Sequence, residues 1–190
     1  MRSNLLNQIN FGGYMKKSIP LTLFLLSFSG LTQAAAANYL QLRNGVAYQV
    51  NQESPFSGDF EQKYDNGQYA IKITYKNGKE NGTATKWYYN GQKESEGNYE
   101  NGQANGLFTK WFPNGQKSEQ LSFKNDKQDG NDIHWYFNGQ KRSMTKYTNG
   151  KHSDGVATAW YEDGEKYLEV TYKKGQEISR EYWSMKPAKS

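Results

Sequence analysis

The stretch KESEGNYENGQANGLFTKWFPNGQ at residues 93–116 recurs as KSEQLSFKNDKQDGNDIHWYFNGQ at 117–140 and as KRSMTKYTNGKHSDGVATAWYEDGE at 141–165. Self-similarity at a fixed period of this length is the signature of a repeat architecture, and it governs the rest of the reading. Gly67, Gly91, Gly115 and Gly139 are spaced by 24 residues and Gly164 follows after 25; Trp87, Trp111, Trp135 and Trp160 keep that spacing. Gly82, Gly106, Gly130 and Gly155 stand five residues before each Trp, and a further glycine series runs Gly78, Gly102, Gly150, Gly175 with Asp126 standing in once. The one insertion lies in Lys151–Asp154, and PFSGDFEQKYDNGQ at 55–68 matches the second half of a unit with Lys63 at the Trp position.

Each unit holds two turn signals. Asn-Gly occurs at 90–91, 101–102, 114–115, 138–139 and 149–150, with Asp163-Gly164 as a variant. Asn-Gly favours the type I′ turn, whose two central residues both need φ > 0. The runs between turns are five to nine residues, a strand length. One strand class alternates: Ile71, Ile73 and Tyr75 against Lys72 and Thr74, then Leu168, Val170 and Tyr172 against Glu169 and Thr171. The face ending in Tyr75, Tyr99, Phe123, Tyr147 and Tyr172 is therefore the expected packed one. The other class carries rings on both faces: Trp111 shares one with Leu107 and Thr109, while Phe112 shares the opposite one with Phe108 and Lys110. A Gly opens that strand, where a neighbouring ring is expected to lie over bare backbone. Consecutive hairpins with no crossover helix predict an all-β fold, an elongated, twisted antiparallel meander of about ten strands or more. YLQLR-NG-VAYQV at 39–50 reads as an N-terminal capping hairpin, and Gln176 to Trp183 as the last strand.

Composition supports this. The 190 residues include 5 Trp, 15 Tyr and 9 Phe, a ring content that argues against disorder. Little Leu or Ala remains outside the N-terminal segment for a helical bundle. Cysteine is absent, which excludes disulfides, thiol chemistry and thiolate metal sites. The formal charge of +5 falls to 21 basic against 19 acidic residues once Arg2, Lys16 and Lys17 are set aside, so nothing favours nucleic acid. Those three belong to a leader at 1–37. MKKSIPLTLFLLSFSGLTQAAAA at 15–37 has the charged start, short apolar run and Ala-x-Ala stretch of a secretory signal peptide, with Met15 the expected start. The expected division is a leader at 1–37, a repeat domain at 38–184 and a polar tail at 185–190. The mature chain is expected in the periplasm or outside the cell, with no stable membrane insertion after cleavage.

WYYNGQKESEGNYENGQANG at 87–106 and WFPNGQKSEQLSFKNDKQDG at 111–130 resemble the variant MORN repeat found in the YwqK-family antitoxins of toxin–antitoxin systems. The resemblance covers about residues 54–175, with departures at Pro113, Asp126 and the Lys151–Asp154 insertion. It implies a non-catalytic β-repeat module and transfers no functional residue. An export signal beside an antitoxin label points to an exported immunity protein.

The residues themselves offer no convincing catalytic grouping. His134 occupies the strand position held by Lys86, Lys110 and Ala159, and a cross-strand polar contact is its expected role. His152 falls in the insertion beside Ser153 and Asp154, but sequence adjacency does not build a Ser-His-Asp triad. Asp126, Asp129 and Asp132 lack the alternate spacing of a calcium loop and read as a solvated acidic turn. Glu94 and Glu96 read as sharing one face of a strand, with no opposed carboxylate across a cleft. No cofactor or metal is expected. Three classes stay open: a module binding a protein partner, most concretely an immunity protein against an envelope-targeted toxin or effector; a binder of cell-wall glycan or lipid head groups; and a structural envelope scaffold. For the first, the candidate partner-binding residues are Lys110, Trp111 and Trp135 in the middle units and His152 in the irregular one, since end repeats act as caps. The leader reading is checked by N-terminal sequencing of envelope-recovered protein, which should begin near Ala35 to Asn38; residues 1–30 intact on a membrane-embedded chain would overturn it.

Overall fold

Asn-Gly turns and short alternating runs leave the chain one economical solution, a meander in which each strand pairs with the one before and after. The computed structural model describes residues 39–183, so the leader at 1–37 and the tail at 185–190 lie outside the described residues. A separate hairpin is formed by β1 (Leu40–Arg43) and β2 (Val46–Gln49). The repeats then give β3 (Gly58–Lys63), β4 (Tyr69–Lys76), β5 (Lys79–Trp87), β6 (Lys93–Glu100), β7 (Gln103–Ala104), β8 (Gly106–Trp111), β9 (Lys117–Lys124) and β10 (Lys127–Trp135). They continue through β11 (Lys141–Thr148), β12 (Lys151–His152), β13 (Gly155–Trp160), β14 (Lys166–Lys173) and β15 (Gln176–Tyr182). The 13 strands from β3 to β15 form one antiparallel sheet in chain order, with β7 attached to β6 and β12 to β11. The all-β meander of tandem repeats is thus the fold, and the substantial contacts between elements all run between paired neighbours.

The two turn series differ, which corrects the single type I′ reading. At 101–102 and 149–150 both residues have positive φ (52° and 80°, 51° and 79°), as type I′ requires. Asn125 and Asp126 adopt the same form at 49° and 64°, and Asp126 Oδ1 accepts a hydrogen bond from Ala104 N at 2.8 Å. At 90–91, 114–115 and 138–139 only the glycine is positive, at 82°, 83° and 85°. There Gly91 N donates to Tyr88 O and Tyr88 N to Gln92 O, a type I turn closed by a left-handed glycine bulge.

This second turn type explains the Asn-Gly-Gln motif. Asn90 Oδ1 accepts Gln92 N within its own turn at 3.1 Å, while Nδ2 donates to Pro113 O in the next turn at 3.1 Å. Asn66, Asn114 and Asn138 repeat the bridge to Tyr89, Phe137 and Glu162 carbonyls. Asp163 accepts Glu165 N in the same way, but a carboxylate has no N–H to pass on. The Gln amide lies beneath the following glycine: a Cβ on Gly91 would come within 2.6 Å of Gln68 Oε1. Tyr64, Tyr88 and Tyr136 add hydroxyl bonds to the carbonyls of Trp87, Trp111 and Trp160.

The packed face is as expected. Tyr75, Tyr99, Phe123, Tyr147 and Tyr172 stand directly opposite Gly58, Gly82, Gly106, Gly130 and Gly155. All five glycines have φ of 107–135°; only Gly58 lies against a ring, Phe56, while added Cβ atoms at Gly82 and Gly130 would meet Thr74 and Ser122. The closest ring over bare backbone lies at Gly97, mid-strand, where a Cβ would overlap Phe108. Apolar burial concentrates at the two ends. Phe60, Ile71, Ile73, Tyr75 and Ala84 form one cluster, joined by Ala47 and Leu40 of the capping hairpin. Ala157, Ala159, Tyr167, Leu168, Val170 and Tyr172 form the other. The final strand, β15, is exposed along its length.

Two substitutions separate the turn's strain from its bridge. Gly91→Val combines a β-branched residue at positive φ with the Gln68 contact and should destabilise by about 2 kcal/mol or more. Asn90→Ala removes two hydrogen bonds and should cost about 1–2 kcal/mol. Urea unfolding followed by far-UV circular dichroism measures both; a neutral Asn90→Ala would remove the bridge from the account.

Candidate functional site at the centre of the packed face

Strand register determines which residues of successive units meet. One row runs Ile73, Ala84, Gly97, then Phe108, Leu121, Asp132, Thr145, and on to Ala157 and Val170. The row beside it contains Ile71, Lys86, Ser95, Lys110, Glu119, His134, Ser143, Ala159 and Leu168. Both rows are apolar at their ends; the first turns polar at Asp132 and Thr145 on β10 and β11, the second from Lys86 on β5 to Ser143 on β11. The positions that hold Ala157 and Ala159 in the last full unit hold Asp132 and His134 one unit earlier.

Three acid–base pairs fill this centre. Lys86 Nζ lies 2.8 Å from Glu94, Lys110 Nζ 2.7 Å from Glu119, and His134 Nε2 2.7 Å from Asp132 Oδ1. Glu119 faces both Lys110 and His134 across its strand neighbours, and its side chain is only 12% exposed. Asp132 is buried, and its second oxygen accepts Gln128 Nε2 at 3.1 Å. A buried carboxylate without partners would cost several kcal/mol; here Oδ2 has the Gln128 hydrogen bond, while Oδ1, close to His134 Nε2, has no well-directed donor. Each member of the series Lys86, Lys110 and His134 therefore meets a carboxylate. Lys63 lies elsewhere, with its Nζ 4.7 Å from the Tyr69 ring.

Aromatic residues border the centre. Phe108 packs edge-on against Tyr99 and Phe123 with centroids 5.2 and 5.1 Å apart. Burial pushes the Tyr99 phenol up to about 12, with Glu80 adding to the effect. Burial also raises the Tyr147 phenol, helped by the Asp132 charge. His152 is not in an exposed loop as its position in the insertion suggested. It forms β12, pairs with Tyr147 on β11, and stacks on Tyr172 at 4.0 Å and 14°. The imidazole continues the aromatic row between Tyr147 and Tyr172. Thr145 Oγ1 lies 3.4 Å from its Nδ1. Ser153 and Asp154 turn to Thr148 and to Lys174 N, so the three adjacent residues do not converge.

The four candidate contact residues do not form one patch. Lys110 lies on the packed face near the Trp end of its strand, and His152 on the same face at the opposite end. Trp111 and Trp135 follow bulges at Lys110/Trp111 and His134/Trp135. Lys93 binds Glu96 and also lies 5.8 Å from the Trp111 ring, which puts that indole on the face of Thr85, Glu96 and Thr109. Lys117 stands over Trp135 in the same way. Both indoles are half-buried and join neighbouring units. A similar bulge separates Glu94 and Glu96, which were expected on one face: Glu94 bonds Lys86, whereas Glu96 bonds Thr85 and Lys93. The three aspartates read as a solvated turn also separate. Asp126 and Asp129 accept backbone N–H groups of Ala104 and Asn149, while Asp132 enters the packed face.

Glu119, Ser143 and Thr145 were not singled out by sequence reasoning, and Asp132 was read only as part of an acidic turn. The available signal was the loss of the apolar residue at fixed repeat positions. A family model described as a MORN repeat variant matches residues 56–77, 80–101, 104–125 and 153–174. The stretch it passes over, 126–152, folds as the same hairpin and carries Asp132, His134 and His152. No curated protein matches the chain.

The centre's role separates from its stability in one double variant. Asp132→Ala with His134→Ala installs the residues of the following unit; relief of the buried carboxylate offsets the lost side-chain volume, so stability from thermal unfolding should fall by no more than about 2 kcal/mol. A loss above about 3 kcal/mol would make the pair a structural element.

Proposed function

We propose that this MORN-repeat protein is a non-catalytic module that binds a protein partner, and that the acid–base centre of its packed face is the contact region. The carrying observation is the replacement of core-type residues by Lys110–Glu119 and Asp132–His134 in the middle units, with Lys86–Glu94 beginning the series one unit earlier. Repeat stability needs no charge there, since the end units pack the same positions with Ile71, Ala84, Ala157 and Ala159. Paired charges set among Phe108, Tyr99 and Phe123 suit a partner carrying both signs around an apolar anchor, the pattern of specific interfaces.

The leader pattern and the resemblance to the YwqK-family antitoxins support a more specific form of this reading, an exported immunity protein that neutralises an envelope-targeted toxin by stoichiometric binding. A cell-wall glycan or lipid head-group ligand is the second reading, favoured by the aromatic content of the chain. Co-expression with the neighbouring gene product in the periplasm tests the first. Survival should require this protein, and Lys110→Glu should abolish protection while the β signal is kept. Equal survival with and without the protein would move the glycan- or lipid-binding reading to first place.

A further inference from the structure

The first residue after the aromatic in each bulged turn forms a series at the turn tips: Asp65, Tyr89, Pro113, Phe137 and Glu162. A type I turn accepts Asp, Glu or Pro at this place without further explanation. Tyr89 and Phe137 have no such reason, and they stand 55% and 58% exposed. Neither ring hangs loose. Tyr64 holds Tyr89 edge-on at 5.3 Å, and Phe112 holds Phe137 at the same distance. Asn66, Asn90 and Asn114 tie each tip's carbonyl to the turn before it. With Pro113 between them, the rings make a fixed apolar ridge, and fixed exposed aromatics are what binding surfaces use.

The pitch of the ridge selects a ligand. Consecutive tips are two strands apart, about 9.6 Å. Polyproline II advances about 9.3 Å per three residues and returns the same face every third residue. An extended β peptide covers a similar distance in three residues but alternates faces, so its third residue points away. An α-helix needs a groove to lie in, and a line of tips supplies none. Charge completes the match. Asp65 lies beside the Tyr89 hydroxyl at one end, and Glu162 and Asp163 lie beyond Phe137 at the other. The span from Asp65 to Glu162 is about 38 Å, or about 12 polyproline residues.

We propose that the turn-tip ridge Tyr89–Pro113–Phe137 binds a proline-rich segment in the polyproline II conformation, with a basic residue towards each acidic end. This surface lies apart from the acid–base centre of the packed face and does not depend on it.

The test uses the full chain and a fluorescein-labelled peptide of eleven prolines between two lysines, read by fluorescence anisotropy. A Gly-Ser peptide of the same length and charge, an amphipathic helical peptide and a chitooligosaccharide serve as competitors. The proline peptide should bind about tenfold or more tighter than the Gly-Ser peptide, and Tyr89→Ser with Phe137→Ser should remove that advantage. Each ring makes one edge-on contact and is otherwise exposed, so circular dichroism should be unchanged and melting temperature should fall only slightly. Asp65→Asn with Glu162→Gln should weaken binding and flatten its salt dependence. Asp132→Ala with His134→Ala should leave peptide affinity intact, which separates this site from the packed-face reading. Equal affinity for the Gly-Ser peptide, tighter binding of the helical peptide, displacement by the chitooligosaccharide, or indifference to the Tyr89 and Phe137 changes would each overturn the proposal.

Discussion

An asparagine amide that bonds its own turn with one end and the next turn with the other is the contact on which this architecture depends. A sheet whose elements touch only their neighbours has no opposing layer to fix the spacing of its units. Asn66, Asn90, Asn114 and Asn138 supply that spacing at the turn end, with the Gln amide below each glycine and the Tyr hydroxyls alongside. Each hydrogen bond contributes only about 1 kcal/mol net. Repetition makes the total large, because stability in such a chain sums unit and nearest-neighbour contributions. The same bonds hold Tyr89, Pro113 and Phe137 at a regular pitch, so the device that builds the fold also orders its most exposed rings.

Much of the fold was legible because the repeat displays each rule several times. Alternation of Ile71, Ile73 and Tyr75 gave the packed face, and the 24-residue period gave the meander. The turn types were harder. Asn90-Gly91 and Asn101-Gly102 are the same dipeptide, yet only the second has two positive φ values. What separates them is the Tyr88 carbonyl reached by Gly91 N and the downstream acceptor that occupies the Asn90 amide. Neither lies in the dipeptide itself. Bulges misled in a similar way: one extra residue near Trp87 reverses the alternation, so Glu94 and Glu96 part although their spacing says they should not.

The candidate site was less legible. Lys110 and His134 were visible as repeat positions, but their carboxylate partners come from registers that no single strand displays. Glu119 meets Lys110 across one strand pair and His134 across the next. Asp132 looked like part of an acidic turn because Asp126 and Asp129 precede it closely in sequence. Gly130, with φ of 123°, lies between them and Asp132, and beyond it the side chain turns into the packed face. His152 looked loop-like because it sits in an insertion, whereas the ring neighbours that hold it, Tyr147 and Tyr172, lie 5 and 20 residues away.

The placement of polarity within the repeat follows from nearest-neighbour stability. Polar residues at a core position weaken that unit and its two interfaces, but not units further along. Placed at an end, such a unit would fray; placed between two apolar clusters, it is held from both sides. The clusters around Ile73 and Val170 occupy those flanks, and the polar centre lies between them. The middle unit also gives up one Tyr hydroxyl bond, since Phe112 stands where Tyr88 and Tyr136 reach the next carbonyl. Yet Asn114 keeps its bridge to Phe137, so the turn edge stays in register while the packed face diverges. Separating the two tasks, spacing at the turns and chemistry on the face, lets the residues of the packed face vary without moving the strands that present them.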